Sequence, residues 1–249
     1  MGKFQCTFNI DYQALNEDFT ATLPRLMHFV QESSIRQTDS TTLPMKWYYE
    51  NGLAWVVTNW SVKVSRYPKR CENIIVSTYP TKFKGVIGER WFEAEDENGK
   101  RILLAFSSWM LADLKNAKLV RPTPEIIASY GLHPEPEDKK SFFPGLNTAG
   151  QLPINTRKFI VTRRELDTNN HVNNVKYMEW AFDDVPDDLY YTSKPDELKA
   201  VYRKQCAKDD VILAEFYQDK ENPLLCASVF RNPTDKTIFS EIHSLWKPR

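Results

Sequence analysis

Residues 158–186 read KFIVTRRELDTNNHVNNVKYMEWAFDDVP, and how this stretch divides decides the fold. Lys158 to Thr162 is apolar and β-branched, which predicts a strand. A polar stretch follows, from Arg163 to Asn170. Val172, Val175, Met178, Phe182 and Val185 then recur at helical spacing and form one apolar stripe, which Pro186 ends. Such a stripe needs a second layer to cover it, and the downstream sequence supplies one. Four strand-like runs follow: Lys199 to Cys206, Val211 to Tyr217, Leu224 to Arg231 and Ile238 to Trp246. Turn formers lie between them, at Lys208-Asp209-Asp210, Glu221-Asn222-Pro223 and Asn232-Pro233-Thr234-Asp235.

The first half repeats the order. Phe4 to Ile10 alternates and reads as a strand; Phe19, Leu23, Leu26 and Val30 mark a helix with Pro24 near its first turn. Four strand-like runs come next: Trp55 to Val64, Ile74 to Thr81, Val86 to Glu95 and Arg101 to Leu111. Glu97-Asn98-Gly99-Lys100 is a hairpin turn. The repeat is one of architecture, not of letters. It implies an α+β chain with a first unit over 1–120, a connector over 121–153 and a second unit over 154–249. The connector is rich in Pro, Gly and charge and holds one short helix, Glu125 to Tyr130. A strand-helix-strands unit used twice looks like a double hot-dog fold. By analogy with single hot-dog domains, which pair, the two units are expected to form an internal pseudo-dimer.

Composition removes several classes of function. Lys plus Arg and Asp plus Glu stand at 33 each, so nothing draws the whole chain to nucleic acid or an anionic membrane. Cys6, Cys71, Cys206 and Cys226 form no C-x-x-C pair, and His28, His133 and His243 lack ligand spacing, so no metal and no cofactor is expected. Met1 to Cys6 lacks a secretory apolar run and misses the myristoylation pattern. No segment approaches the ~18 apolar residues of a membrane span. The expectation is a soluble, cytoplasmic protein with reduced cysteines. Aromatic side chains, seven Trp and fourteen Phe among them, suffice to build a large core or line a deep apolar pocket.

One segment has the residue types for acyl transfer. Asp167, Asn169 and His171 are spaced by two, so in an extended chain they point the same way at the start of the second helix. The carboxylate suits a nucleophile or general base. The Asn169 amide can donate to a developing oxyanion, as can the backbone N–H groups of Val172 and Asn173. The competing reading is that Asp167 and Asn169 cap the helix and His171 is an ordinary histidine. Cys206 divides the same way, between a thiol nucleophile and a small apolar strand residue. Basic residues cluster at Arg66-Tyr67-Pro68-Lys69-Arg70 and at Arg203-Lys204, as a docking patch or as solvated faces.

Asp167-Thr-Asn-Asn-His-Val-Asn-Asn-Val-Lys-Tyr-Met-Glu-Trp180 resembles the D-x-N-x-H-V-N-N-x-x-Y signature of plant and bacterial acyl-acyl-carrier-protein (acyl-ACP) thioesterases. Trp55-Val-Val-Thr-Asn-Trp-Ser-Val-Lys-Val-Ser-Arg-Tyr-Pro68, Gly85-Val-Ile-Gly-Glu-Arg-Trp91 and Ser107-Ser-Trp-Met110 are similar to further segments of that family. The resemblance runs from about residue 5 to the last strand and is weakest in the connector. It implies catalytic roles for Asp167, Asn169 and His171. It also points to Tyr202-Arg203-Lys204-Gln205-Cys206, where Cys206 matches the family cysteine and Gln205 replaces a family glutamate. Gln205 can hold a water or the imidazole but cannot take a proton, which leaves Asp167 as the main nucleophile or base. The first half then binds the acyl chain and the second carries the chemistry. The implied activity is hydrolysis of fatty acyl-ACP to free fatty acid. The implied partner is acyl carrier protein, presented through its phosphopantetheine arm, and a homodimer is compatible with the fold. Hydrolysis of acyl-CoA and non-catalytic acyl binding are the alternatives. Because the plant relatives are plastid-targeted, the lack of a leader favours a bacterial source.

Overall fold

The computed structural model describes residues 3–137, 139 and 141–249; Met1 and Gly2, which enter the reading of the chain's start, lie outside them. The chain divides into two compact units, Met1–Ser141 and Phe142–Arg249, and the division falls inside the 121–153 stretch.

The first unit holds β1 (Phe4–Asn9), α1 (Leu23–Asp39), α2 (Met45–Glu50), β2 (Leu53–Val64), β3 (Asn73–Lys84), β4 (Ile87–Glu95), β5 (Arg101–Asp113), β6 (Lys118–Val120) and α3 (Pro124–Tyr130). Its sheet is antiparallel, in the order β1-β3-β4-β5-β2, with β6 on the end of β5. Thr22 caps α1, its hydroxyl accepting the Arg25 N–H at 3.3 Å, and Pro24 sits in the first turn where its missing donor costs nothing. The helix buries Leu26, Met27, Phe29 and Val30, and Phe29 stacks on Phe8 of β1 at 4.8 Å. Burying each such side chain contributes about 1.5–3 kcal/mol. Phe19 was expected to open the helical stripe. It lies outside the helix instead, 61% exposed and at φ 59°, because the cap at Thr22 sets the start at Leu23.

The second unit holds β7 (Asn155–Ile160), α4 (Asn174–Asp183), α5 (Asp187–Thr192), β8 (Ser193–Tyr202), β9 (Val211–Gln218), β10 (Leu225–Arg231) and β11 (Ile238–Pro248). Its sheet runs β7-β9-β10-β11-β8, again antiparallel. That is the topology of the first unit strand for strand. Tyr177 and Trp180 of α4 both pack against Phe230 of β10, at 5.6 and 5.8 Å between ring centres. Residues 143–146 fasten to this unit. The Phe143 N–H donates to Glu197 at 2.9 Å, Lys199 donates to the Pro144 carbonyl at 2.7 Å, and Leu146 packs with Tyr217, Ala227 and Val229.

Three expected boundaries move. β7 stops at Ile160, and Arg163–Glu165 forms a 3₁₀ turn closed by a capping box in which Glu165 accepts from the Thr162 N–H and hydroxyl. α4 begins at Asn174, so Val172 precedes the helix it was expected to open, and Pro186 caps α5 as well as following α4. β8 ends at Tyr202, which takes Gln205 and Cys206 off the strand. The Arg203 and Lys204 N–H groups both turn to the Phe239 carbonyl, at 2.9 and 3.3 Å, and the chain leaves the sheet there.

Candidate active site

The 3₁₀ turn delivers the chain to Leu166, which bridges back to Val172. Between them Asp167–Asn170 forms a tight turn. The Asn170 N–H donates to the Asp167 carbonyl at 3.1 Å, and the Asp167 N–H donates to the His171 carbonyl at 2.8 Å. Asn170 takes φ 60°, a left-handed conformation that asparagine tolerates because its short side chain bonds locally. The segment is therefore not the extended run that the spacing by two assumed. What gathers its groups is a turn.

Asp167 is central to that turn. Its Oδ1 accepts from the Asn169 N–H at 2.7 Å and, more weakly, from the His171 N–H at 3.4 Å. Among the described residues nothing bonds Oδ2. Asn169 is exposed; His171 is half-buried, and its buried Nδ1 has no partner among the described residues. Gln205 is exposed. No hydrogen bond joins the side chains of Asp167, Asn169, His171 and Gln205 to one another among the described residues. The loop after β8 is nevertheless laid along the turn, since His171 bridges Ala207 and the Val172 N–H donates to the Cys206 carbonyl at 2.8 Å.

That bond corrects the oxyanion assignment. The Val172 N–H is taken by Cys206, and the Asn173 N–H donates to the Glu165 carbonyl at 2.8 Å, so neither amide is free for substrate. Asn173 acts as the cap of α4, its Oδ1 accepting the Val175 N–H at 3.0 Å. Cys206 is 1% exposed, and burial, reinforced by the Asp210 carboxylate, pushes its thiol up to about 12. Two residues quoted only as letters of the motif bring buried polar atoms here: among the described residues the Asn174 Oδ1 has no partner, and the Tyr177 hydroxyl faces the Cys206 thiol. They sit three apart on the first turn of α4, on one face.

The profile of the acyl-ACP thioesterase N-terminal domain matches residues 2–130, and that of the C-terminal domain matches residues 153–248. The chain belongs to the acyl-ACP thioesterase family. A chloroplastic acyl-[acyl-carrier-protein] hydrolase of Cuphea viscosissima is 28% identical over 223 residues, covering 84% of this chain and 53% of that protein. A chloroplastic oleoyl-acyl carrier protein thioesterase of Arabidopsis thaliana is 26% identical over 214 residues, covering 78% and 57%. The chain thus spans about half the length of the curated relatives it matches. Among solved structures, the 12:0-ACP thioesterase of Umbellularia californica superposes with TM-score 0.85 at 21% identity, over 99% of this chain and 97% of that one. An acyl-ACP thioesterase of Bacteroides thetaiotaomicron gives 0.82 at 18%, over 98% and 97%. These likenesses establish the α+β double hot-dog fold. No described helix is long and apolar enough to cross a membrane.

In this thioesterase-family chain the turn occurs twice. In the first unit the Asn16 N–H donates to the Thr20 carbonyl at 3.0 Å, Phe19 to Asn16 at 3.1 Å, Ala21 to Pro68 at 2.8 Å and Thr22 to Ala14 at 2.9 Å. These are the bonds of Asp167, Asn170, Val172 and Asn173 one for one, and Phe19 takes the left-handed place of Asn170. Asn16, Asp18 and Thr20 therefore stand where the second unit has Asp167, Asn169 and His171. The side chains of the two copies differ, so the repeat is carried by the backbone bonds and not by the letters.

Proposed function

We propose that the chain hydrolyses fatty acyl thioesters of acyl carrier protein at the Asp167–His171 turn, releasing free fatty acid and the carrier's phosphopantetheine thiol. The supporting observation is the state of that turn. A carboxylate pinned through Oδ1 by two backbone N–H groups leaves Oδ2 open, and the buried His171 Nδ1 lacks a partner. A buried unmet polar atom costs roughly 1–3 kcal/mol, which a bound water or substrate would recover. In this reading Oδ2 either takes a proton from the attacking water, or attacks the carbonyl carbon itself to give an acyl-Asp167 anhydride that water hydrolyses to fatty acid and the free carboxylate once the thiol has left. The Asn169 amide donates to the carbonyl oxygen, in place of the backbone amides that are already paired. The C–S bond then breaks, and the leaving sulfur takes a proton by way of His171. Gln205, exposed beside the turn, holds water by hydrogen bonding. The protonated, buried Cys206 is left out of the chemistry.

The first unit, whose copy of the turn has Asn16, Asp18 and Thr20 in place of Asp167, Asn169 and His171, takes up the acyl chain. Each buried methylene contributes about 0.8 kcal/mol, so pocket length selects chain length. Thiol release from acyl-ACP and acyl-CoA with one acyl chain tests the reading. The expected result is a kcat/KM at least tenfold higher for acyl-ACP. Preference for acyl-CoA would replace the substrate, and turnover of neither by folded protein would sink the proposal.

A further inference from the structure

A groove of about 430 Å³ opens beside the candidate turn, lined by Ile160, Thr162, Arg163, Arg164, Lys208 and Asp209 among others. Both walls are continuous with the turn. Arg164 is three residues from Asp167, at most about 11 Å along the chain. Lys208 directly follows Ala207, which bridges His171. Arg163, Arg164 and Lys208 are exposed, and the apolar Ile160 beside them is 59% exposed. Glu165 is engaged in the capping box, and Asp209 pairs within the groove with Lys208 at 2.5 Å, which leaves the two arginines as its uncompensated charges. Arg163 and Arg164 make no ion pair among the described residues.

The duplicated architecture supplies an internal control. Thr162 and Asp11 precede equivalent 3₁₀ turns, so Tyr12 and Gln13 hold the places of Arg163 and Arg164. Cys71 and Asp209, at φ 67° and 70°, are likewise equivalent, which matches Arg70 to Lys208. The arginine pair thus accompanies the unit that carries Asp167, Asn169 and His171 and is missing from the copy that lacks them. A requirement of the turn itself would appear in both.

We propose that this groove docks the acidic surface of acyl carrier protein, with Arg163 and Arg164 as the principal contacts and Ile160 as an apolar foothold. The inference rests on the functional reading above for its partner. Unpaired guanidiniums suit carboxylates through bidentate bonds, and an excess of positive charge steers encounter as well as binding. Neither arginine touches the reacting atoms; their work is to place the carrier next to the turn.

The test is the double variant Arg163→Glu/Arg164→Glu, with Arg163→Gln/Arg164→Gln beside it in case charge reversal impairs folding. Binding of fluorescently labelled holo carrier protein is read by anisotropy, and kcat/KM is measured on acyl-ACP and acyl-CoA. Carrier affinity and acyl-ACP kcat/KM should fall tenfold or more, through KM, with kcat within about twofold and acyl-CoA turnover unchanged. Added salt should weaken wild-type carrier binding and affect the variant little. Unchanged carrier binding in a folded variant, or no binding by wild type, would overturn the inference. So would equal losses on acyl-ACP and acyl-CoA, which would assign the arginines to the phosphodiester that both substrates share. Because anisotropy needs no turnover, a protein that binds carrier without hydrolysing acyl-ACP would refute the activity and leave the docking surface standing.

Discussion

Asp167 and Asn16 occupy one position in two copies of the same turn, and the difference between them is a charge. Cys206 and Pro68 are paired in the same way, each lending its carbonyl to the turn. That equivalence assigns Cys206 a backbone role. Cys206→Ala is expected to keep hydrolysis within about threefold, and Cys206 of the wild-type protein to react slowly with alkylating reagents, whereas loss of all activity in a folded Cys206→Ala protein would restore the thiol as nucleophile. Gln205→Ala should lower the rate moderately, and Gln205→Glu should be tolerated, because a carboxylate still accepts the hydrogen bonds of a positioned water. A rate for Gln205→Ala as low as that of an Asp167 variant would show that this division of roles is wrong. At this scale the motif made the candidate residues legible. It could not show that the Val172 and Asn173 amides are already engaged, because their acceptors, Cys206 and Glu165, are set by tertiary pairing and by a turn.

Elements were read well in kind and less well at their ends. The period of Val175, Met178 and Phe182 identified α4, and alternating apolar runs found the strands after it. The stop of β8 at Tyr202 was hidden because nothing local to Arg203 marks it; the Phe239 carbonyl on β11, the neighbouring strand but far along the sequence, takes both the Arg203 and Lys204 N–H groups. Caps decided the helix starts, and that can be tested. Asn173→Ala should cost about 0.5–2 kcal/mol of stability and Asn173→Ser or Asn173→Asp much less, since both still accept the Val175 N–H. Equal thermal unfolding temperatures for the Ala and Ser variants would remove the cap from the account. Gly145 marks another constraint, in the segment fastened to the second unit. It sits at φ 95°, and an added Cβ would lie 3.0 Å from the His243 ring. Gly145→Ala should therefore destabilise the protein by roughly 1–3 kcal/mol, and a neutral result in thermal unfolding would show that the segment yields.

For the whole molecule, the doubled order of elements was legible in the sequence, while the doubled turn was not, because its two copies share hydrogen bonds and hardly any side chains. Acid stability offers a global test. Glu241 is held down at about 2 by His243 at 3.7 Å, which is charged only when protonated, and by Arg203 at 2.5 Å, against the opposing effect of burial. A carboxylate depressed in the folded state contributes stability above its unfolded pKa of about 4.3 and loses it as pH falls towards the folded value. Glu241→Gln should thus be less stable than wild type at neutral pH, by at most about 3 kcal/mol. The gap should close between about pH 4.5 and pH 2, and a gap independent of pH would contradict the assignment.

The central claim is that the charge of Asp167 drives acyl-ACP hydrolysis. The Asp167→Asn variant isolates it, because asparagine can accept the Asn169 and His171 N–H bonds, and Asn16 already occupies the equivalent turn in the first unit. The decisive measurement is kcat for thiol release from acyl-ACP by wild type and Asp167→Asn, with thermal unfolding run in parallel. An unchanged unfolding temperature with kcat lower by roughly 10²–10⁴ is the expected result. A folded Asp167→Asn protein that turns over acyl-ACP at the wild-type rate would contradict it.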